Sequence, residues 1–221
     1  MKVRKGFLGL LLISCFGILL LSNTASAIPL SDLKNDSTTP IVIGDKHFVN
    51  WSSVSDLGVL SHIDVTPLDN EPLNPGLLYD MQLAVTTFGG LAPPPVLELW
   101  WSYDVIVFQG PLKIVDNELE LLYVGFDGPG RVDIWENEGT AFEKHVWKDS
   151  IPVDPWYIGD PFEHINFDPV DSFHVEKHVL MQAFPVNGGI FGVEFEQRFS
   201  QTPEPTTMLL LGFRPYRSCS I

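Results

Sequence analysis

The chain has 221 residues, with 28 acidic and 13 basic side chains and a formal net charge of -15. Its apolar fraction of 45% excludes a disordered chain, because burial of that much apolar surface offsets the conformational entropy lost on folding. The two cysteines, Cys15 and Cys219, lie near opposite ends, which excludes a disulfide-built miniprotein. The negative charge makes nucleic acid a poor partner, because it repels phosphate.

The first 27 residues are organised as a secretory signal peptide. Three basic residues at 2, 4 and 5 precede an almost wholly apolar stretch from residue 6 to 21, and Ala25-Ser26-Ala27 supplies the small residues of a cleavage site. The sequence therefore predicts export to the periplasm, the cell surface or the medium, with an uncleaved N-terminal anchor as the alternative. Removal of residues 1–27, which carry three basic and no acidic side chains, takes the formal charge from -15 to -18.

The body of the chain has the pattern of a β domain. Residues 28–40 show no periodicity and are interpreted as a flexible lead-in. From residue 41 to 200, short stretches alternate apolar and polar residues, which is typical of strands with one buried face. Turn clusters rich in glycine and proline separate these stretches. This pattern predicts one all-β domain, an antiparallel β-sandwich of about eight to ten strands, with a closed barrel as the alternative.

Two tryptophans on the polar sides of predicted strands are the candidate ligand contacts. Trp100 lies next to Trp101, and since neighbouring side chains of a strand point to opposite faces, one of the two is outside when the other is in the core. Trp100 and Trp135 share their faces with Glu98 and Asp133. An exposed indole among hydrogen-bond acceptors is typical of β-sandwich modules that stack on sugars. The alternative is that a loop or a second layer covers both indoles. We predict Trp100 and Trp135 as candidate glycan contacts.

An acidic stretch between residues 154 and 171 is the candidate cation site. Hard cations such as calcium take clustered carboxylate and carbonyl oxygens, although the spacing here does not match the EF-hand template. The stretch is therefore interpreted as an acidic loop, either solvated or holding calcium, which is the one cofactor that the sequence suggests. The candidate ligands are Asp154, Asp160, Glu163, Asp168 and Asp171.

Histidines flank a glutamate in the stretch His174-Val175-Glu176-Lys177-His178. Zinc proteases instead place the glutamate directly after the first histidine of a helical pair. On a strand, the side chains of His174, Glu176 and His178 share one face at steps of ~6.5–7 Å, too far apart for one ion without a partner strand. We interpret the stretch as a solvated strand face and predict no metal site there.

Paired carboxylates make a glycoside hydrolase the alternative to a non-catalytic protein. Glycoside hydrolases need two carboxyl groups about 5–9 Å apart, and Glu194 with Glu196, or Glu118 with Glu120, share a strand face at about that separation. Alternating glutamates on an exposed strand more often serve solubility and edge protection. The sequence also contains no nucleophile elbow, P-loop or dinucleotide-binding glycine run. We therefore predict no catalytic residue.

The C-terminal segment 201–221 resembles a sorting signal. Pro203-Glu204-Pro205 precedes Thr206-Thr207, the apolar run 208–213 and the basic segment 214–217. This arrangement resembles the PEP-CTERM signal of Gram-negative bacteria that make exopolysaccharide. The resemblance implies that Pro203, Glu204 and Pro205 are the motif recognised by an exosortase at the inner membrane.

The apolar run of this signal is too short to span a membrane. A bilayer crossing takes about 20 apolar residues, whereas the run from 208 to 213 has six. The signal is therefore interpreted as truncated, and a one-base frameshift near codon 213 is one explanation, which reading the gene would test.

Two stretches of the body extend the resemblance. The opening Ile43-Gly44-Asp45-Lys46-His47-Phe48, and the strand pair formed by 173–177 and 197–201, look like segments common in secreted PEP-CTERM proteins. Together these patterns predict a secreted, non-catalytic protein of the cell surface or extracellular matrix. Its candidate partners are exopolysaccharide and the exosortase, and the alternative is a carbohydrate-active enzyme of the envelope that uses paired carboxylates.

Overall fold

The computed structural model describes residues 26–71, 73–87, 95–108, 112–137, 143–151, 154–184 and 188–203. These residues contain fourteen strands and two short helices: β1 (Ile28–Pro29), α1 (Leu30–Asn35), β2 (Ile41–Ile43), β3 (Lys46–Ser53), α2 (Leu57–Leu60), β4 (Ile63–Leu68), β5 (Gly76–Thr86), β6 (Val96–Val107), β7 (Leu112–Phe126), β8 (Gly130–Asn137), β9 (Glu143–Ile151), β10 (Asp154–Asp160), β11 (Phe162–Val170), β12 (Ser172–Ala183), β13 (Gly189–Arg198) and β14 (Gln201–Pro203).

The strands form two antiparallel sheets. Sheet A has the order β1-β4-β5-β13-β7-β11, with β14 also paired to β7, and sheet B has the order β10-β9-β8-β12-β6-β3-β2. The sheets do not close into a barrel, so the predicted β-sandwich is confirmed. The strand number is larger than the eight to ten expected for two reasons. Strands of two or three residues such as β1, β2 and β14 are too short to show alternation, and β10 and β11 lie in the stretch that was interpreted as an acidic loop.

The segment 28–40 differs from the flexible lead-in that the sequence suggests. Ile28 and Pro29 pair with β4 of sheet A, and Leu30 and Leu33 of α1 are buried. These leucines lie three residues apart and share one face of the helix, so α1 covers part of the core. A helix of six residues is too short to show a period in the sequence. Among the residues that the structure describes, no helix is long and apolar enough to cross a membrane.

The acidic stretch from 154 to 171 is also not a loop. Residues 154–160 and 162–170 form β10 and β11, which pair with β9 of sheet B and β7 of sheet A respectively. The turn between them therefore connects the two sheets at one edge of the sandwich. The loop prediction was wrong because it was based on the clustered acidic residues of this stretch, whereas edge strands tolerate charged residues and proline.

The core lies between the sheets and follows the period-two pattern of the sequence. In β12, Val175, Val179 and Met181 are buried and face sheet A, while His174 and Glu176 are exposed on the other side. Aromatic rings fill the centre of the core, where Tyr79 stacks on Phe195 with their ring centroids 4.7 Å apart. The alternation fixes which residues of β6, β8, β9 and β12 reach the outer face of sheet B.

Candidate functional site

Four flat side chains stand in a row across the outer face of sheet B. His178 of β12 pairs in register with Trp100 of β6 on one side and with Trp135 of β8 on the other, and Trp135 pairs with His145 of β9. The ring centroids of Trp100 and His178 are 3.7 Å apart at an interplanar angle of 6°. His178 and Trp135, and then Trp135 and His145, follow at 4.7 Å with angles of 18° and 5°. We call these four residues the ring row.

The two tryptophans of the ring row differ in the accessibility of their indole faces. Trp135 has a histidine ring stacked on each face, so neither face is open to a ligand. Trp100 is the end member, stacked only on His178 among the described residues, and it is 42% exposed. Trp100 and Trp135 both lie on the outer face, as predicted, but the ring packing leaves an indole face accessible only at Trp100.

Carboxylates lie close to the two histidines of the row. His178 Nε2 lies 2.9 Å from Glu98 Oε1, and His145 Nε2 lies 2.8 Å from Asp133 Oδ1. Burial lowers the pKa of His178 below its ordinary value, against the opposing attraction of Glu98. His178 is therefore neutral near pH 7, and a neutral imidazole stacks between the two indoles without bringing a charge into the row.

A cavity of about 280 Å³ lies at the exposed end of the ring row. A β-bulge in β3 shapes this end, because the register between β3 and β6 shifts between Val49 and Ser52. Asn50 accommodates the bulge with a φ of 57°, a left-handed conformation that asparagine tolerates better than most residues. The cavity is lined by Ser52, Ser53, Val54, Trp100, Trp101, Ser102 and Glu176.

A second cavity of about 280 Å³ adjoins the first along the side of the ring row. The two cavities share Trp100 and Glu176, so together they form a groove along the outer face from β3 towards β9. The second cavity is lined by Trp100, Trp135, Glu136, Asn137, Glu143, Glu176 and His178. Carboxylates therefore border this groove, and serine hydroxyls occur at its Trp100 end.

The other residues singled out in the sequence have separate positions. Glu163 Oε2 accepts a hydrogen bond of 2.5 Å from the backbone N–H of His145, and Asp171 pairs with Lys113. Asp160 ends β10 and Asp168 lies in β11, whereas the side chain of Asp154 lies outside the described part. No group of three or more potential ligands close enough for a metal ion occurs among the described residues. Calcium binding stays a prediction.

The stretch 174–178 has one face exposed, as predicted, but its histidines are not simply solvated. His174 Nδ1 lies 2.6 Å from Asp104 Oδ1, and His178 is stacked between two indoles. Of the paired carboxylates, Glu196 is ion-paired with Arg198 through an Oε1 to Nε distance of 2.8 Å. Pro203 ends β14, while Glu204 and Pro205 lie outside the described residues, as does the leader up to residue 25.

Charged residues lie directly beneath the ring row, on the inner side of the same strands. Lys177 pairs in register with Glu136, and Glu136 pairs with Lys144. All three side chains are at most 1% exposed. Glu136 Oε2 contacts Lys177 Nζ, while Glu136 Oε1 lies 2.6 Å from Lys144 Nζ. Burial lowers the pKa of Lys177 well below its ordinary value.

Two amides from sheet A complete this network. Asn117 Nδ2 donates to Glu136 Oε1 at 2.5 Å, and Gln197 Nε2 donates to Asn117 Oδ1 at 3.2 Å. The hydroxyl of Tyr103 donates in turn to Gln197 Oε1. We call Lys144, Lys177, Glu136, Asn117, Gln197 and Tyr103 the buried polar cluster. These residues are not among the predicted site residues, although the charged and amide members occupy strand positions of the same parity as buried neighbours.

Comparisons with known proteins give little further information. No family model matches the sequence, and no curated protein matches it. Among solved structures, the chain has a partial likeness to the carbohydrate-binding module TmCBM61, determined in complex with beta-1,4-galactotriose. The TM-score is 0.30 and the sequence identity 9%, with 83% of this chain and 97% of that chain covered. A TM-score of 0.30 supports no inference about the site or its ligand.

Proposed function

We infer that this chain is a secreted, non-catalytic β-sandwich protein that binds a neutral glycan on the outer face of sheet B. The observation that carries this inference is the 42% exposed indole of Trp100, which ends the ring row and lines a cavity of about 280 Å³. His178 stacks on the indole from one side, so the ring is held in place before any ligand arrives. Such preorganisation reduces the entropy lost on binding.

The lining of the cavity suits a sugar. A pyranose ring has an apolar face of C–H groups and a rim of hydroxyls, and an indole offers a flat apolar surface on which such a face can lie. Ser52, Ser102 and Glu176 line the same cavity as Trp100 and supply hydroxyl and carboxylate groups for the sugar rim. A few placed polar groups around an apolar surface are typical of small-ligand sites.

The charge of the groove favours a neutral glycan over an anionic one. Glu143 and Glu176 border the groove, and the whole chain has a formal charge of -15. A uronate or sulfated polymer would be repelled at this surface, whereas the hydroxyls of a neutral hexose donate hydrogen bonds to carboxylates. The neutral portion of an exopolysaccharide matrix is therefore the ligand class that we propose.

The cellular setting of this proposal comes from the two ends of the sequence. Export depends on the leader at 1–27, and attachment to the envelope depends on recognition of Pro203-Glu204-Pro205 by an exosortase-type enzyme. Fractionation of the native host tests both: the processed chain is expected outside the cytoplasm. A full-length chain that keeps its leader and is dissolved in the cytoplasm would contradict export.

The binding proposal is tested on immobilised polysaccharides, one set neutral and one set rich in uronate. Trp100→Ala is expected to weaken binding to the neutral polymer about tenfold or more, which corresponds to about 1.4 kcal/mol. Tyr123→Ala is the matched control, because Tyr123 is a 49% exposed aromatic residue that lies in β7 of sheet A. Unchanged binding of Trp100→Ala, or an equal loss in both variants, would overturn the assignment of the site.

The same preparation tests the enzyme alternative. Release of reducing ends from a bound polysaccharide, lost in Glu194→Gln or Glu196→Gln, would show a glycoside hydrolase and contradict a non-catalytic role. The ion pair between Glu196 and Arg198 leads us to expect no such release, because it already engages both carboxylate oxygens of Glu196.

A further inference from the structure

We propose that the buried polar cluster forms an intramolecular isopeptide bond, which joins Nζ of Lys144 in β9 to Cγ of Asn117 in β7. Such a bond would connect the two sheets of the sandwich covalently. The cluster supplies the three components that the reaction needs: an amine, a primary amide as the electrophile, and a carboxyl group in contact with both.

The contacts bring the amine to the amide. Lys144 Nζ lies 3.5 Å from the backbone carbonyl oxygen of Asn117. Lys144 Nζ and the side-chain nitrogen of Asn117 also lie 2.6 Å and 2.5 Å from the same oxygen, Oε1 of Glu136. The attacking nitrogen and the leaving nitrogen are therefore held at one carboxylate oxygen, in the proximity that turns a slow amide exchange into an intramolecular step.

The carbonyl group of the Asn117 side chain is polarised from the other side. Gln197 Nε2 donates a hydrogen bond to Asn117 Oδ1 at 3.2 Å, and the hydroxyl of Tyr103 fixes the orientation of the Gln197 amide through its oxygen. A donor aimed at the amide oxygen stabilises the negative charge that develops there when an amine attacks. Gln197 thus has the position of an oxyanion donor.

The charges of the cluster favour a neutral amine. Lys144 and Lys177 both contact Glu136, and one carboxylate cannot neutralise two ammonium groups in a dry interior. Release of one proton leaves a single ion pair and one uncharged amine, and only an uncharged amine is a nucleophile.

The reaction balances without any co-reactant. The Nζ–Cγ bond forms and the Cγ–Nδ2 bond breaks, while the proton of the attacking amine passes through Glu136 to the leaving nitrogen, which departs as ammonia. Nothing is oxidised or reduced. After the reaction, Lys177 and Glu136 remain as one buried ion pair.

Mass spectrometry of the purified full chain tests the proposal. The intact mass, measured after N-terminal sequencing has located any leader cleavage, is expected to fall short of the sequence mass by one ammonia. Proteolysis is then expected to yield a branched peptide that joins Asn117 to Lys144. Lys144→Arg should lose the branch, whereas Lys148→Arg, the same change on the same strand outside the cluster, should keep it.

Each other outcome overturns the proposal. A folded wild-type chain with no mass deficit lacks the bond. A branch that ends at Lys177 would show that the proposal names the wrong lysine. A deficit found in a linear peptide containing Asn187-Gly188 would indicate a cyclic imide instead of the cross-link. The wild-type peptide map decides the question by itself if Lys144→Arg does not fold.

Discussion

Sheet B carries two rows of side chains at the same level, one on each face. The outer row is Trp100, His178, Trp135 and His145, and the inner row is Trp101, Lys177, Glu136 and Lys144. Each inner residue is the neighbour in sequence of an outer one, so both rows depend on a single strand register. A slip of one residue in β8, β9 or β12 would exchange a ring for a charge.

The two rows are stabilised in different ways. Ring stacking is pairwise, and each contact contributes about 0.5–1.5 kcal/mol beyond the area buried. The inner row is a network in which Glu136 contacts both Lys144 and Lys177, so removal of Glu136 takes a buried partner from both lysines. The outer row therefore leaves one exposed indole face, at Trp100, whereas the inner row fixes the strand register beneath it.

The largest effect is expected for Glu136→Gln. This change removes the only carboxylate of the buried polar cluster and leaves the amines of Lys144 and Lys177 without it, which we expect to lower the free energy of unfolding by about 3–5 kcal/mol. Urea unfolding at neutral pH measures the loss. Glu143→Gln, the same change at an exposed position bordering the groove, is the control and should stay within about 0.5 kcal/mol of wild type. Equal effects of the two changes would show that the cluster is not a network.

A third buried lysine, Lys46, contrasts with the inner row, because among the described residues its side chain belongs to no such network. Its side chain is 0% exposed, and its Nζ is among the buried polar atoms without a hydrogen-bond partner. Burial lowers the pKa of Lys46 to about 8, while Asp45 and Asp116 oppose this shift. Replacing an unpartnered buried ammonium with an apolar group of similar length removes its desolvation penalty. We expect Lys46→Met to raise the free energy of unfolding at pH 7 by roughly 2 kcal/mol.

The sign of the pH dependence tests this explanation. The folded pKa of Lys46 lies near 8 and the unfolded value near 10.5, so between these values the unfolded state binds more protons. The stability of wild type should therefore rise with pH across that window. The advantage of Lys46→Met should shrink over the same window, as followed by urea unfolding at several pH values. A constant advantage from pH 7 to 10.5 would attribute the gain to packing and contradict the charge explanation.

Alternation in the sequence was enough to predict the sandwich and the outer position of Trp100 and Trp135. It did not identify the ring row, because the row depends on which strands are neighbours. His178 lies 43 positions after Trp135, and nothing in either segment states that β12 pairs with β8. The sequence therefore does not show that histidines cover the faces of Trp135. From the sequence alone, Trp135 is predicted to be as open to a ligand as Trp100.

The inner row was missed for a different reason. Lys177 has the same parity as Val175 and Val179, so the alternation itself placed a lysine in the core. The expectation that charged residues are exposed overrode that pattern. Read literally, the parity of Lys177 would have predicted a buried charge, although its partners Glu136 and Lys144 again required the strand pairing.

The smallest expected effect is the titration of His178, which tests how tightly the outer row is packed. Burial between two indoles lowers the pKa of His178 below 6.5. As pH falls below 6.5, the unfolded state takes up its proton first, so stability should decline until the folded pKa is reached and then level off. NMR titration of the imidazole, assigned with His178→Gln, measures the midpoint. Binding of neutral glycan should weaken as pH falls through this midpoint, because protonation of His178 brings a charge into the ring row and changes its stacking on Trp100. A midpoint above 6.5 would instead mean that Glu98 and the indole faces attract the cation more strongly than burial repels it.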